Sequence, residues 1–188
     1  MSATTTAYGM ARGISQTGYI GYDISMGDVT MSFDTSKTTG GTNRSLSLNY
    51  TGIDGLQVVA GAAETLTAQA NAGVDQETVG VKYTMGSITV AAQLNEVDDA
   101  STSNDDEDAT HIGISFALND QVSISYAQLE TDFGKSTKTA DETVSGIGVS
   151  YTAGSMSVKA YAGKTENDNG SSTAADLEEK GVTLSFSF

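Results

Sequence analysis

Carboxylates are the first side chains in this sequence with the density to do chemistry. Asp98 and Asp99 are followed by Asp105, Asp106, Glu107 and Asp108. Hard cations take oxygen ligands, so Asp105, Asp106 and Asp108 are candidate Ca2+ ligands. The run contains no Gly and no spaced terminal Glu, which excludes an EF-hand. A solvated acidic loop is the simpler reading. His111 is the single histidine, and Asp108, Ser103 or Ser115 could be cast as its catalytic partners. A general base, however, must be held by an orienting group. A lone His flanked by acids is ordinarily solvated, so no enzyme is expected. The chain has no Cys, which removes disulfides, thiol chemistry and Cys-ligated zinc. No organic cofactor is implied either, because the glycines precede no helix that could cradle a phosphate.

The whole-chain charge narrows the partners. Among 188 residues, 24 acidic side chains face 9 basic ones, a formal charge of −15. Such a chain cannot neutralise a phosphate backbone, and nucleic acid is excluded. No apolar run reaches the roughly 18 residues of a spanning helix. Met1-Ser2-Ala3 is followed by no apolar signal core, as expected of a mature form or a fragment. The length fits a single domain over residues 1–188, at roughly 100–200 residues per domain. Acidic, Gly-rich and Ser-rich composition is also that of a disordered chain. The order of the residues opposes disorder.

At the end of the sequence, Val182, Leu184, Phe186 and Phe188 alternate with Gly181, Thr183, Ser185 and Ser187. This is period two, the mark of a strand with one apolar face. Ile112, Ile114 and Phe116 repeat it, as do Val122, Ile124 and Tyr126, then Ile147, Val149 and Tyr151. Eleven segments fit, occupying residues 16–188. Residues 1–15 hold at most one further strand, around Thr4 to Arg12. The segments join by tight turns such as Tyr83-Thr84-Met85-Gly86 and Tyr151-Thr152-Ala153-Gly154. Turns this short link antiparallel neighbours, and Gly or Asn supplies the positive φ they need. At the opposite ends, longer acidic connections are expected over residues 37–43, 66–75, 98–109, 131–141 and 166–177.

The two faces of these strands are unlike. One is apolar; the other is Gly, Ser, Ala and Thr with occasional larger polar groups. Small polar side chains cannot fill a core, and a water-facing surface would carry more charge. The arrangement that satisfies both faces is inside out: an all-β, antiparallel, up-and-down transmembrane β-barrel, apolar outward to lipid. Closure pairs every backbone group without a sheet edge, and the absence of Pro agrees. Asp34, Asn49, Gln57, Lys82, Gln93 and Lys159 then line the lumen. Tyr22, Tyr50, Tyr83, Phe116 and Tyr151, beside the short turns, form an interfacial aromatic girdle. The acidic loops concentrate cations at the outer mouth, so cation preference is expected. Their carboxylates could also bridge through Ca2+ to lipopolysaccharide phosphates.

With its closing strand ending in Phe186 and Phe188, its Tyr-Thr-x-Gly turns and its acidic outer loops, the sequence resembles Gram-negative outer-membrane general porins of alphaproteobacterial type. The resemblance covers about residues 16–188. It implies a bacterial outer-membrane location and passive diffusion of small hydrophilic solutes. It further implies homotrimers, lipid and lipopolysaccharide neighbours, and recognition of Phe186 and Phe188 by the barrel assembly machinery. It also implies sixteen strands and a constriction loop after the fifth. Eleven or twelve strands are visible here, which reads as the C-terminal portion of such a porin or a shortened form. That loop would then precede residue 16. From a different class, the alternative is a plugged or narrow barrel serving as a structural surface protein or adhesin.

Overall fold

The computed structural model describes residues 18–38, 41–67, 73–99, 106–135 and 137–187. Its backbone is one sheet of eleven antiparallel strands, each paired with the next in sequence. They are β1 (Gly18–Met26), β2 (Val29–Thr38), β3 (Gly41–Ile53), β4 (Leu56–Thr67), β5 (Gly73–Met85) and β6 (Ile88–Asp99), followed by β7 (Glu107–Ala117), β8 (Val122–Phe133), β9 (Glu142–Ala153), β10 (Met156–Glu166) and β11 (Leu177–Phe186). This is the up-and-down meander that the repeated turns predict. The possible strand at Thr4 to Arg12 lies outside the described residues, as do Ser103, Asp105 and Phe188.

Four of the short turns rest on one glycine each. Gly27, Gly55, Gly86 and Gly154 have φ between 57° and 74°, where a Cβ is disfavoured and a right-twisted two-residue hairpin needs the chain to go. The fifth short turn works differently from the expectation. Asn119 is not among the described residues with positive φ. Instead its Oδ1 accepts the backbone N–H groups of Gln121 and Val122, both at 2.9 Å. An Asx side chain closes the turn by replacing a backbone acceptor.

In the first three expected long loops the described residues are almost all strand, whereas those of 134–141 and 167–176 are connections as expected. β2 and β3 pair as far as Thr38 with Gly41, and β5 and β6 as far as Val74 with Asp99. β6 and β7 continue to Val97 with Glu107. Charge on both faces hides period two here, yet the backbone ladder continues because its hydrogen bonds ignore side-chain polarity. Beyond the hydrocarbon, either face can carry charge.

No hydrophobic side chain is buried among the described residues. The apolar face holds most of the exposed Ile, Leu, Val, Tyr and Phe, from Ile20 to Phe186, whereas exposed Tyr161 and Leu177 lie on the polar face. The buried side chains are Ser32, Ser36, Thr78 and Thr131, all on the opposite face by register. Apolar out and small polar groups crowded in is the burial of a sheet curved toward its polar side, the reverse of a water-soluble fold.

Candidate functional site

Cross-strand register places every candidate lumen residue on the polar face. Asp34 stands opposite Ser45, and Asn49 opposite Val59. Gln57 pairs with Lys82, Gln93 with Gly80, and Lys159 with Ser150 and Thr183. Side-chain hydrogen bonds tie several together. Gln57 Nε2 donates to Asn49 Oδ1 at 2.9 Å, and Ser45 Oγ donates to Asp34 Oδ2 at 3.4 Å. The polar face is a largely uncharged wall with short hydroxyl and amide ladders.

Its charges are few and unequal. Asp23, Asp34, Asp99, Glu107, Glu142 and Glu179 share this face with Lys82 and Lys159. Asp99, Glu107, Glu142 and Glu179 stand at or near the strand ends away from the short turns. Toward the last strands the wall is stripped of side chains: Gly146 faces Gly163 directly. At Gly181 the bare backbone is covered by the Tyr161 ring, which a Cβ would strike at 2.4 Å. The Tyr161 hydroxyl donates to Glu179 at 2.7 Å.

The acids expected in loops sit mostly on strand extensions of the apolar side. Glu77, Glu96, Asp108 and Asp132 lie side by side across four strands. Glu64, Asp75 and Asp98 form a second such row. Like charges directly opposite are unfavourable, and the rows are tolerable only where water or counter-ions screen them. On the last two strands the pattern changes. Lys164 pairs with Glu166 at 2.6 Å and Asp176 at 2.8 Å, and Lys180 with Glu178 at 3.1 Å.

The remaining sequence candidates separate. Asp106 Oδ1 accepts the Asp99 backbone N–H at 2.9 Å, a hairpin role, whereas Asp108 faces outward beside Glu96. Among the described residues no group of three His, Cys, Asp or Glu is gathered to hold a metal. His111 lies on the polar face opposite Gln93, while Asp108 is on the other face. Ser115 shares the face of His111 four residues along, about 13 Å of extended strand. Neither can act as its partner. Tyr22, Tyr50, Tyr83, Phe116 and Tyr151 all lie on the apolar face near the short-turn ends. Phe186 is exposed on that face at the end of β11.

Sequence reading alone misses Thr78 and Asn95, which join Gln93 in one hydrogen-bonded group. Asn95 Oδ1 accepts from Gln93 Nε2 at 2.6 Å and from Thr78 Oγ1 at 2.7 Å. The signal was present. A two-residue turn at Gly86-Ser87 fixes the register, and counting equally outward from it brings Thr78 opposite Asn95. The proximity of His111 was not countable, because the β6–β7 connection is not a tight turn.

The profile of a Gram-negative porin family matches residues 3–180. Similar solved structures include the anion-selective porin from Comamonas acidovorans, with 13% identity and a TM-score of 0.68. The match covers 89% of this chain and 57% of that one. A porin refined at 1.8 Å resolution gives 14% identity and a TM-score of 0.69, covering 86% and 59%. OmpT of Vibrio cholerae, an outer-membrane protein in trimer form, gives 16% and 0.66, covering 90% and 64%. Identities this low establish the shared barrel-wall fold. The chain spans 57–64% of the length of these three proteins. No curated protein sequence matches it.

Proposed function

The chain belongs to the Gram-negative porin family of the bacterial outer membrane, and on that premise we propose that it forms the wall of a passive, water-filled channel for small hydrophilic solutes and ions. The observation that carries this reading is the two-faced sheet. An apolar face without polar interruption in its middle suits lipid, and a face of Ser, Thr, Asn, Gln and Gly suits water. Transport then needs no bound cofactor and no reaction. The separation of His111 from Asp108 and Ser115 supports a channel over a hydrolase. Assembly into homotrimers fits the family, and the trimer form of the Vibrio cholerae relative supports it.

The channel prefers cations. Its wall carries Asp23, Asp34, Asp99, Glu107, Glu142 and Glu179 against Lys82 and Lys159, and acids gather around one mouth. Fixed carboxylates raise the local cation concentration and lower that of anions, an effect that salt weakens. Purified protein in planar bilayers is expected to give ohmic current steps. In a KCl gradient its reversal potential lies on the cation-selective side and moves toward zero as mean salt rises. An anion-selective potential overturns the preference. Absence of steps from folded protein overturns the channel and favours a plugged wall.

A further inference from the structure

Beyond ion passage, β5, β6 and β7 build a feature that electrodiffusion does not require. The Thr78 side chain is buried, and its hydroxyl is shared between Asn95 Oδ1 at 2.7 Å and the Leu94 carbonyl at 3.3 Å. Gln93 Nε2 donates to Asn95 Oδ1 at 2.6 Å and to Thr78 Oγ1 at 3.2 Å. These contacts fix both amides. The Asn95 oxygen accepts from two donors, and its Nδ2 has no acceptor among the described residues. The Gln93 nitrogen is likewise engaged, and its Oε1 has no donor among the described residues. Two amides held to each other on the polar face thus offer one donor group and one acceptor.

The side chains around this group are mostly small. Gly80 and His111 flank Gln93 in register. Ala91, Ala109 and Gly113 occupy neighbouring positions of the same face. A Cβ at Gly80 would come within 3.0 Å of Val59 Cγ2 and 3.6 Å of Gln93 Cβ, so Val59 covers that glycine and Gln93 has no side chain directly opposite it on β5. None of these neighbours is a carboxylate.

We propose that Thr78, Gln93 and Asn95 form a binding subsite for neutral polyhydroxylated solutes, with Asn95 Nδ2 and Gln93 Oε1 engaging adjacent hydroxyls. Each hydroxyl of a vicinal diol both donates and accepts, which matches a donor beside an acceptor. The nearest charges of this face in register are Lys82, opposite Ala91, and Glu107, opposite Val97, one on each side of the group and none within it. Thr78 acts as the positioning residue, because it holds the amides and contributes no free group of its own. His111 supplies a further hydrogen-bonding edge beside Gln93. This subsite rests on the channel reading for access, though not for its chemistry.

The test compares sucrose with a polyethylene glycol of matched size, added to single channels in planar bilayers. Each current is normalised to the same protein's current in salt alone. Sucrose is expected to reduce the current more than the polymer, which offers no hydroxyl pair. Asn95→Asp keeps the size and the acceptors but removes the donor, and should weaken the sucrose-specific component about tenfold, the order of one lost hydrogen bond. Equal reduction by both solutes, or an unchanged response in Asn95→Asp, overturns the subsite. Should no current steps occur, the channel reading falls by itself. Saturation-transfer NMR of sucrose with detergent-folded protein then decides the subsite. Transfer that Asn95→Asp abolishes supports it, and no transfer to the unaltered protein overturns it.

Discussion

At the scale of single residues, the glycines of the short turns have unequal burdens. Gly86 has φ +59° and open space around it, so an added Cβ meets only the left-handed backbone penalty. Gly55 has φ +74° and would place a Cβ 2.2 Å from the Thr84 carbonyl oxygen. Gly86→Ala should therefore cost about 1–2 kcal/mol in urea unfolding from lipid vesicles, and Gly55→Ala distinctly more. Equal losses would mean that the Thr84 carbonyl yields freely. Selectivity is also argued at this scale. Lys82 and Lys159 are the described cations of the polar face, so Lys82→Gln and Lys159→Gln should each move the KCl reversal potential further toward cations. No movement would place those ammonium groups away from the ion path.

At the scale of strands, period two decides which substitutions the sheet accepts. Ile114 and Ser115 are neighbours in β7 on opposite faces, Ile114 opposite Val90 and Ser115 opposite Thr89. Ile114→Arg puts a guanidinium into hydrocarbon between the girdle and the bilayer midplane and should cost about 1–3 kcal/mol. Ser115→Arg should leave the unfolding midpoint nearly unchanged. Similar costs for both would show that the faces are not divided as described. The same periodicity made most of the fold legible in the sequence. Val182, Leu184 and Phe186 alternate cleanly with Gly181, Thr183 and Ser185 because lipid and water impose opposite demands on neighbouring side chains. Legibility ended where those demands ended. Glu77, Glu96 and Asp108 continue their strands in register, but beyond the hydrocarbon no face is obliged to be apolar, and the pattern dissolved into apparent loop. The clasp between the β8–β9 and β10–β11 connections was equally unreadable. There Thr139 N–H donates to the Gly170 carbonyl at 2.8 Å, and Lys138 Nζ sits 4.8 Å from the Phe133 ring centre. It depends on left-handed Asn167 and Asn169, which no alternation announces.

At the scale of the whole molecule, eleven antiparallel strands leave β1 and β11 running in the same direction. Closing those two edges on each other would make a parallel pair, so an antiparallel barrel takes an odd number of further strands. The chain spans 57–64% of the length of the similar structures named above. The candidate lumen residues were legible as types on one face. Their grouping into Thr78, Gln93 and Asn95 required register, which only the Gly86-Ser87 turn encodes. Membership of the barrel wall makes one demand on every strand at once: apolar side chains meet lipid, and polar ones meet water. Because the sequence has no cysteine, single cysteines can report this without background. The most direct measurement places them one at a time at Ile112, Gly113, Ile114 and Ser115 in lipid-reconstituted protein exposed to a water-soluble, membrane-impermeant thiol reagent. Labelling is predicted at 113 and 115 and not at 112 and 114. Uniform labelling, or labelling confined to 112 and 114, would contradict the account.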